Sequence, residues 1–274
     1  MMLVDSHCHL DFPELAGDRA GVLARARNAG VGLMVTISTR VAQFDKIRGI
    51  IEAYDQVYGS VGTHPHNADD EKDIEPETLI RLAAHPKIVA LGECGLDYHY
   101  DNGTPAAQAK GFRAHIAAAR ETGLPVVIHT READADTLRI LEEETGRGPF
   151  PALLHCFSSG AELARRGVEL GLYVSFSGIL TFKKSDELRA IAAEVPADRL
   201  LVETDAPFLA PVPFRGKVNE PSYVAETAKI LASVRGWSVE ETQRRTTENF
   251  ARLFSKVPAA ALGLGADRRV ESAA

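Results

Sequence analysis

The chain is poor in cysteine, with three in 274 residues, and its 31 basic residues are outnumbered by 38 acidic ones, for a net charge of −7. A small, odd cysteine count offers no disulfide framework and fits a reducing compartment, so the expected location is cytoplasmic. The negative balance removes the global positive field that drives nonspecific duplex binding, and any contact with nucleic acid must be local. No aromatic-rich strand or basic stripe of a dedicated single-strand binder is visible. No apolar run approaches the roughly 18 residues of a membrane span. The opening MMLVDSHCHL has no basic region or long apolar stretch, so no signal peptide is expected. Neither G-x-G-x-x-G nor G-x-x-x-x-G-K-[ST] occurs, which argues against an organic nucleotide cofactor.

What is present is a series of short runs rich in Val, Ile and Leu: residues 3–9, 31–39, 57–66, 88–97, 125–131, 152–157, 172–178 and 200–205. Each is too brief for a helix. Between them lie stretches with helical spacing and punctuation, such as Leu15, Val22, Leu23 and Ala26 before Gly30, or Phe112, Ile116 and Ala119 before Gly123. Pro76 stands as a first-turn proline before Leu79 and Leu82. Eight apolar strands alternating with helices predict strands buried on both faces, hence a parallel sheet closed into a single (β/α)8 barrel. Without a repeat, linker or composition shift, residues 1–257 read as one domain. Residues 258–274, small and weakly periodic, read as a disordered tail.

Six of the nine histidines close these runs: His7, His9, His64, His66, His129 and His155. Glu93 and Asp205 occupy equivalent positions. The ends of barrel strands are where chemistry gathers. His7 and His9 form an H-x-H pair, and period-two spacing puts both imidazoles on one face about 7 Å apart, with Asp5 before them on that face. An unpaired polar side chain at a strand end is costly to bury, so His7, His9, Glu93, His129, His155 and Asp205 read as donors to metal. Six donors exceed what one tetrahedral ion takes. Two divalent ions bridged by Glu93, on strand 4 between the histidine groups, account for the surplus; Zn, Mn, Co, Ni or Mg all suit such donors. By strand alternation Cys8, Cys94 and Cys156 face away from these donors, toward packing helices.

The motifs DSHCHLD (5–11), GTHPH (62–66), ALGECGLDY (90–98), PVVIHTREA (125–133), LLHCFS (153–158), VSFSGILTFK (174–183), LLVETDAPFLAP (200–211), RGKVNEP (215–221) and ENFARLF (248–254) span nearly the whole chain. Together they resemble the TatD family of metal-dependent deoxyribonucleases, within the amidohydrolase-like barrels. The resemblance implies that His7 and His9 bind one ion, Glu93 bridges, His129 and His155 bind the second, and Asp205 completes the site and acts on the nucleophilic water. It places His64 near the scissile phosphate, makes His66 a loop-ordering residue, sets Arg131 and the loop from Arg215 to Glu220 at the border of the substrate cleft, and gives Asp97 an orienting role. Asn219 and Glu220 would tie that loop down. The chain departs from the family pattern at HCFSSG, which has an extra serine, at Phe208 where tyrosine is common, and at His115 where glutamine is frequent. None of these is a proposed metal donor.

The expected activity is hydrolysis of DNA phosphodiester bonds, from 3′ ends or in single strands. Asp205 is the general base, Glu93 the bridge, and His64 assists by hydrogen bonding; His64, Arg131 and Arg215 contact substrate. Lys183, Lys184 and Lys217 add positive charge to the segments after strands 7 and 8. The alternative on the same barrel is a metal-dependent ester or amide hydrolase acting on acyl groups. The expected partners are DNA ends or short single strands, with no membrane and with the chain a monomer or weak oligomer.

Overall fold

The computed structural model describes residues 2–264. The strands are β1 (Leu3–Cys8), β2 (Val31–Thr36), β3 (Val57–Val61), β4 (Ile88–Asp97), β5 (Val126–Arg131), β6 (Ala152–Leu154), β7 (Tyr173–Phe176) and β8 (Leu200–Val202). Among the described residues, ten helices alternate with or follow them: α1 (Pro13–Ala16), α2 (Arg19–Asn28), α3 (Phe44–Ala53), α4 (Pro76–Ala83), α5 (Pro105–Thr122), α6 (Asp134–Thr145), α7 (Ala161–Glu169), α8 (Asp186–Glu194), α9 (Val224–Arg235) and α10 (Val239–Leu253). Every neighbouring pair of strands is parallel, in the order β1 to β8. The circle is joined at the strands' C-terminal ends. There Cys8 pairs with Ala206, the Asp205 amide donates to the His7 carbonyl at 2.9 Å, and the His9 amide donates to the Ala206 carbonyl at 2.7 Å. This is the (β/α)8 barrel that the alternating runs predict.

Strand alternation divides the core in two. One set of strand side chains, including Leu3, Met34, Ile88, Val126, Ala152 and Val202, packs outward against the helices. The other, including Val4, Leu33, Val35, Val89, Val127, Leu153 and Leu201, packs together with Phe250, Leu253 and Phe254 of the α10 end. The apolar filling of the lower barrel leaves only the C-terminal end of the strands to polar side chains.

Several strands are shorter than their apolar runs. The run to Asp205 yields a strand ending at Val202, and the run to Phe157 yields one ending at Leu154. The residues beyond leave the ladder, and Cys156 and Asp205 adopt positive φ of 42° and 58°. Alternation no longer applies once pairing stops, which corrects the expectation for Cys156. Cys156 lines the site cleft and its thiol lies 3.2 Å from Ser177 Oγ, whereas Cys8 and Cys94 are buried in the outer core as expected.

The tail boundary also moves. Ala259–Leu262 form a 3-10 turn, and Leu262 is fully buried against the lower barrel core. Apolar contact thus holds at least part of the segment that composition alone assigned to the tail; residues 265–274 lie outside the described residues. Among the described residues, no helix is long and apolar enough to cross a membrane.

Candidate metal centre

Glu93 occupies the middle of the site, and the local backbone is built to put it there. The β4–β5 ladder slips register between Gly92 and Cys94. Gly62, just past β3, packs so close to this bulge that a Cβ on it would fall 2.4 Å from the Gly92 Cα. Only glycine permits two backbones to approach in this way. The Glu93 amide donates to the Ser38 carbonyl at 3.1 Å, which fixes the strand from the other side.

The two carboxylate oxygens of Glu93 face different histidines. Oε1 lies 2.7 Å from His155 Nε2, 2.9 Å from His129 Nδ1 and 3.4 Å from His64 Nε2. Oε2 lies 3.4 Å from His7 Nε2 and 3.9 Å from His9 Nε2. Asp205 Oδ1 approaches the same pair, at 3.5 Å and 3.4 Å. The donor atoms form three overlapping groups, each within 4.8 Å: His7–Glu93–His155, His7–His9–Asp205 and His64–Glu93–His129.

The outer nitrogens of three imidazoles are held from behind. His129 Nε2 donates to Asp97 Oδ2 at 3.0 Å, His155 Nδ1 to Glu203 Oε1 at 3.2 Å, and His9 Nδ1 to the Ile37 carbonyl at 3.3 Å. With those nitrogens protonated, each ring turns a lone pair toward Glu93 or Asp205. A lone pair 2.7 Å from a carboxylate oxygen is repulsive unless a proton or a cation lies between them. A mixed set of imidazole and carboxylate donors, backed by carboxylates and a carbonyl, fits a divalent metal. Burial alone would push the Glu93 carboxyl up, but the imidazoles around it, His155 foremost, hold it well below the usual range. Burial likewise opposes ionisation of Asp205, and His9 and His7 bring its carboxyl below the ordinary value.

His64 differs from the other members of the cluster. Its Nδ1 accepts the backbone N–H of His66 at 3.1 Å, so the ring proton sits on Nε2 and that nitrogen is a donor rather than a free lone pair. Burial pushes its pKa down to about 3, which keeps the ring neutral.

The chain compares closely with known proteins over most of its length. The family model described as "TatD related DNase" matches residues 4–255. A protein of Escherichia coli K12 named "Uncharacterized metal-dependent hydrolase YcfH" is 47% identical over 259 residues, covering 93% of this chain and 96% of that one. The chain belongs to the TatD family. A further family relative, named "3'-5' ssDNA/RNA exonuclease TatD" in Cronobacter sakazakii, is 37% identical over 245 residues, 87% of this chain and 92% of its own. The crystal structure of YJJV, a TatD homologue from Escherichia coli, superposes with a TM-score of 0.86 at 30% identity, covering 93% and 98% of the two chains. This TatD-family protein is therefore a metal-dependent hydrolase.

The remaining residues singled out in the sequence separate clearly. Asp97 Oδ2 holds His66 Nε2 at 2.9 Å as well as His129, so both it and His66 order the rim. Asp5 does not turn toward the metal donors: its carboxylate accepts the Thr204 amide at 2.8 Å and hydroxyl at 2.6 Å, joining β1 to the segment after β8. Burial raises it to about 8. Asn219 Nδ2 donates to the carbonyls of Thr204 and Phe208, and Arg25 donates to Glu220, which ties down the long loop after β8. Arg131 lines the cleft, a cavity of 790 Å³ above the metal donors. Arg215 is not among the residues that line this cleft; its guanidinium lies 3.9 Å from the Phe182 ring centroid and donates to the Ala210 carbonyl.

Glu203 is the residue that sequence reasoning passed over. Beyond its contact with His155, its Oε1 accepts the Cys156 amide at 2.7 Å, and the carboxylate is completely buried. The available signal was its place in LVETD, where a second acid closes the same run as Asp205.

Proposed function

We propose that this TatD-family protein hydrolyses phosphodiester bonds at the 3′ end of single-stranded DNA, with two divalent ions that His7, His9, Glu93, His129, His155 and Asp205 would hold, Glu93 being shared between them. The observation that carries this reading is the division of the Glu93 carboxylate, one oxygen toward His129 and His155 and the other toward His7 and His9. Zn, Mn, Co, Ni or Mg would suit these donors. Bound ions at such a site acidify water and neutralise charge on the transferring phosphoryl group.

The chain's own residues supply the rest. Asp205 is ionised and on the cleft surface, where its carboxylate accepts the proton of the attacking water. As the new P–O bond forms, the P–O bond to the penultimate nucleotide's 3′ oxygen breaks, and that oxygen leaves with a proton drawn from solvent. His64 Nε2–H donates to a non-bridging phosphate oxygen, and a neutral ring does so throughout the working pH range. Arg131, exposed at the rim, attracts the phosphate backbone. The name of the Cronobacter sakazakii relative supports the polarity and the single-stranded substrate.

The test is degradation of 3′- and 5′-labelled single- and double-stranded DNA by wild type and Asp205→Asn, chelated or supplied with Mg, Mn or Zn, beside a panel of acyl esters and amides. The expected result is stepwise loss from the 3′ end that disappears on chelation and in the variant, whose circular dichroism stays native. Near-normal nuclease activity in Asp205→Asn refutes the assignment of the base. Hydrolysis confined to the acyl panel refutes the nuclease reading.

A further inference from the structure

Two aromatic walls stand on opposite sides of the cleft. Four large apolar side chains are exposed among the described residues: Tyr100, Phe208, Val212 and Val218. The two aromatic ones both line the cleft over the metal donors. Tyr100 follows β4 and Phe208 follows β8, half the circumference apart in a barrel ordered β1 to β8. Phe208 is 48% exposed and meets Phe12 edge-to-face at 5.7 Å between centroids, with Phe12 in turn stacked on His9 at 4.8 Å. Tyr100 is 45% exposed, edge-on to His66 at 5.3 Å, with the Arg131 guanidinium 4.9 Å from its ring centroid.

Both rings are held in place by the backbone of the site. The Phe208 amide donates to the Asp205 carbonyl at 2.9 Å, and its own carbonyl accepts Asn219 Nδ2 at 2.6 Å. The Tyr100 amide donates to Asp97 Oδ1 at 3.1 Å, the carboxylate that also holds His129. Each ring is thus set at a fixed offset from a residue of the centre, on backbone that does not have to be ordered on binding. Half-exposed aromatic rings flanking a polar centre suit a ligand with a flat apolar face on each side of an anionic group. In a nucleic acid that ligand is two adjacent nucleobases with the phosphate between them.

We infer that Phe208 and Tyr100 are stacking platforms for the two nucleobases on either side of the scissile phosphate, an inference that rests on the phosphodiesterase reading above. Bases spread onto opposite walls cannot remain stacked and paired in a duplex, so the last two nucleotides enter unpaired. Stacking accepts any base, so recognition is independent of sequence. It also supplies affinity that a chain of net charge −7 does not obtain from a basic surface.

The experiment measures KM and kcat of full-length wild type, Phe208→Ala and Tyr100→Ala, supplied with Mn, on a 3′-labelled single-stranded 12-mer and on the same oligomer abasic at its last two positions. Removing a stacking partner weakens binding by roughly tenfold or more per base. The expected result is a KM at least tenfold higher for abasic DNA with wild type. Each variant raises KM on base-bearing DNA by a similar factor, the effect falling on KM rather than kcat, and shifts KM on abasic DNA much less. Equal KM for the two oligomers with wild type overturns the stacking inference while leaving the nuclease intact, and so do variants that raise KM equally on both. Wild type that cuts neither oligomer overturns the phosphodiesterase reading and the inference together.

Discussion

His115 gives the fold a pH-dependent element away from the metal donors. It is buried on α5, its Nδ1 donates to the Gly111 carbonyl at 2.7 Å, and its Nε2 accepts the Thr63 amide at 3.2 Å. Both ring nitrogens are therefore committed to the neutral form, and burial pushes the pKa from its ordinary 6.5 down to about 4. In the unfolded chain the ring takes up a proton near 6.5, so the contribution to stability is complete above that pH. It is lost progressively as pH falls toward 4, because over that interval the unfolded state binds the proton and the folded state does not. The gap between 6.5 and about 4, at about 1.4 kcal/mol per pH unit, amounts to about 3 kcal/mol.

His115→Gln isolates this contribution. A glutamine side chain can accept from the Thr63 amide and donate to the Gly111 carbonyl, but it does not titrate. Urea unfolding of both proteins at half-unit steps from pH 7.5 to 4, in the same metal-free buffer, gives two stability curves. The donors and surface carboxylates titrate in both, so their contributions cancel in the difference. That difference is expected to be flat above pH 7 and to grow by about 3 kcal/mol in favour of the glutamine variant by pH 4. A difference that stays constant within about 0.5 kcal/mol across the range would show that the ring is not held neutral, and the reasoning would be wrong.

Three further perturbations follow from the same geometry. Glu203→Gln removes the charge behind His155, and metal affinity, read by competition with a coloured chelator, is expected to fall by about 10- to 100-fold with the fold intact; unchanged affinity would show that the Glu203–His155 contact does not orient the ring. Gly62→Ala drives a Cβ against the Gly92 backbone and displaces Glu93, so turnover is expected to drop by about 100-fold together with a lower melting temperature, and wild-type kinetics would refute the close approach. Glu144 is a buried carboxylate at the end of α6 that accepts from Arg113, Arg120 and Arg147. Because those arginines are partly hydrated, Glu144→Ala is expected to cost about 2 kcal/mol, or roughly 4–8 °C in melting temperature by calorimetry, and a loss below about 0.5 kcal/mol would mark the cluster as a surface one.

Much of the molecule is legible in its sequence because strand and helix periodicity are local properties. Short Val- and Ile-rich runs buried on both faces have few folds open to them, and polar residues closing those runs mark the barrel end at which chemistry collects. His7, His9, Glu93, His129, His155 and Asp205 could be read as a set on that ground. Distances between strands are not local. Only the closed circle decided that Glu93 divides its two oxygens between two histidine pairs, that Glu203 stands behind His155, and that Asp5 bonds Thr204 instead of facing the donors. Alternation could not place Cys156, because the ladder ends before it and the backbone turns to positive φ. Charge type could not place Arg215 either, since a stacking partner and a carbonyl within its own neighbourhood satisfied it first. The sequence by itself determined which residue types reach the rim and in what order; tertiary structure decided which of their atoms face one another, because that depends on side chains separated by whole strands and helices meeting across the barrel.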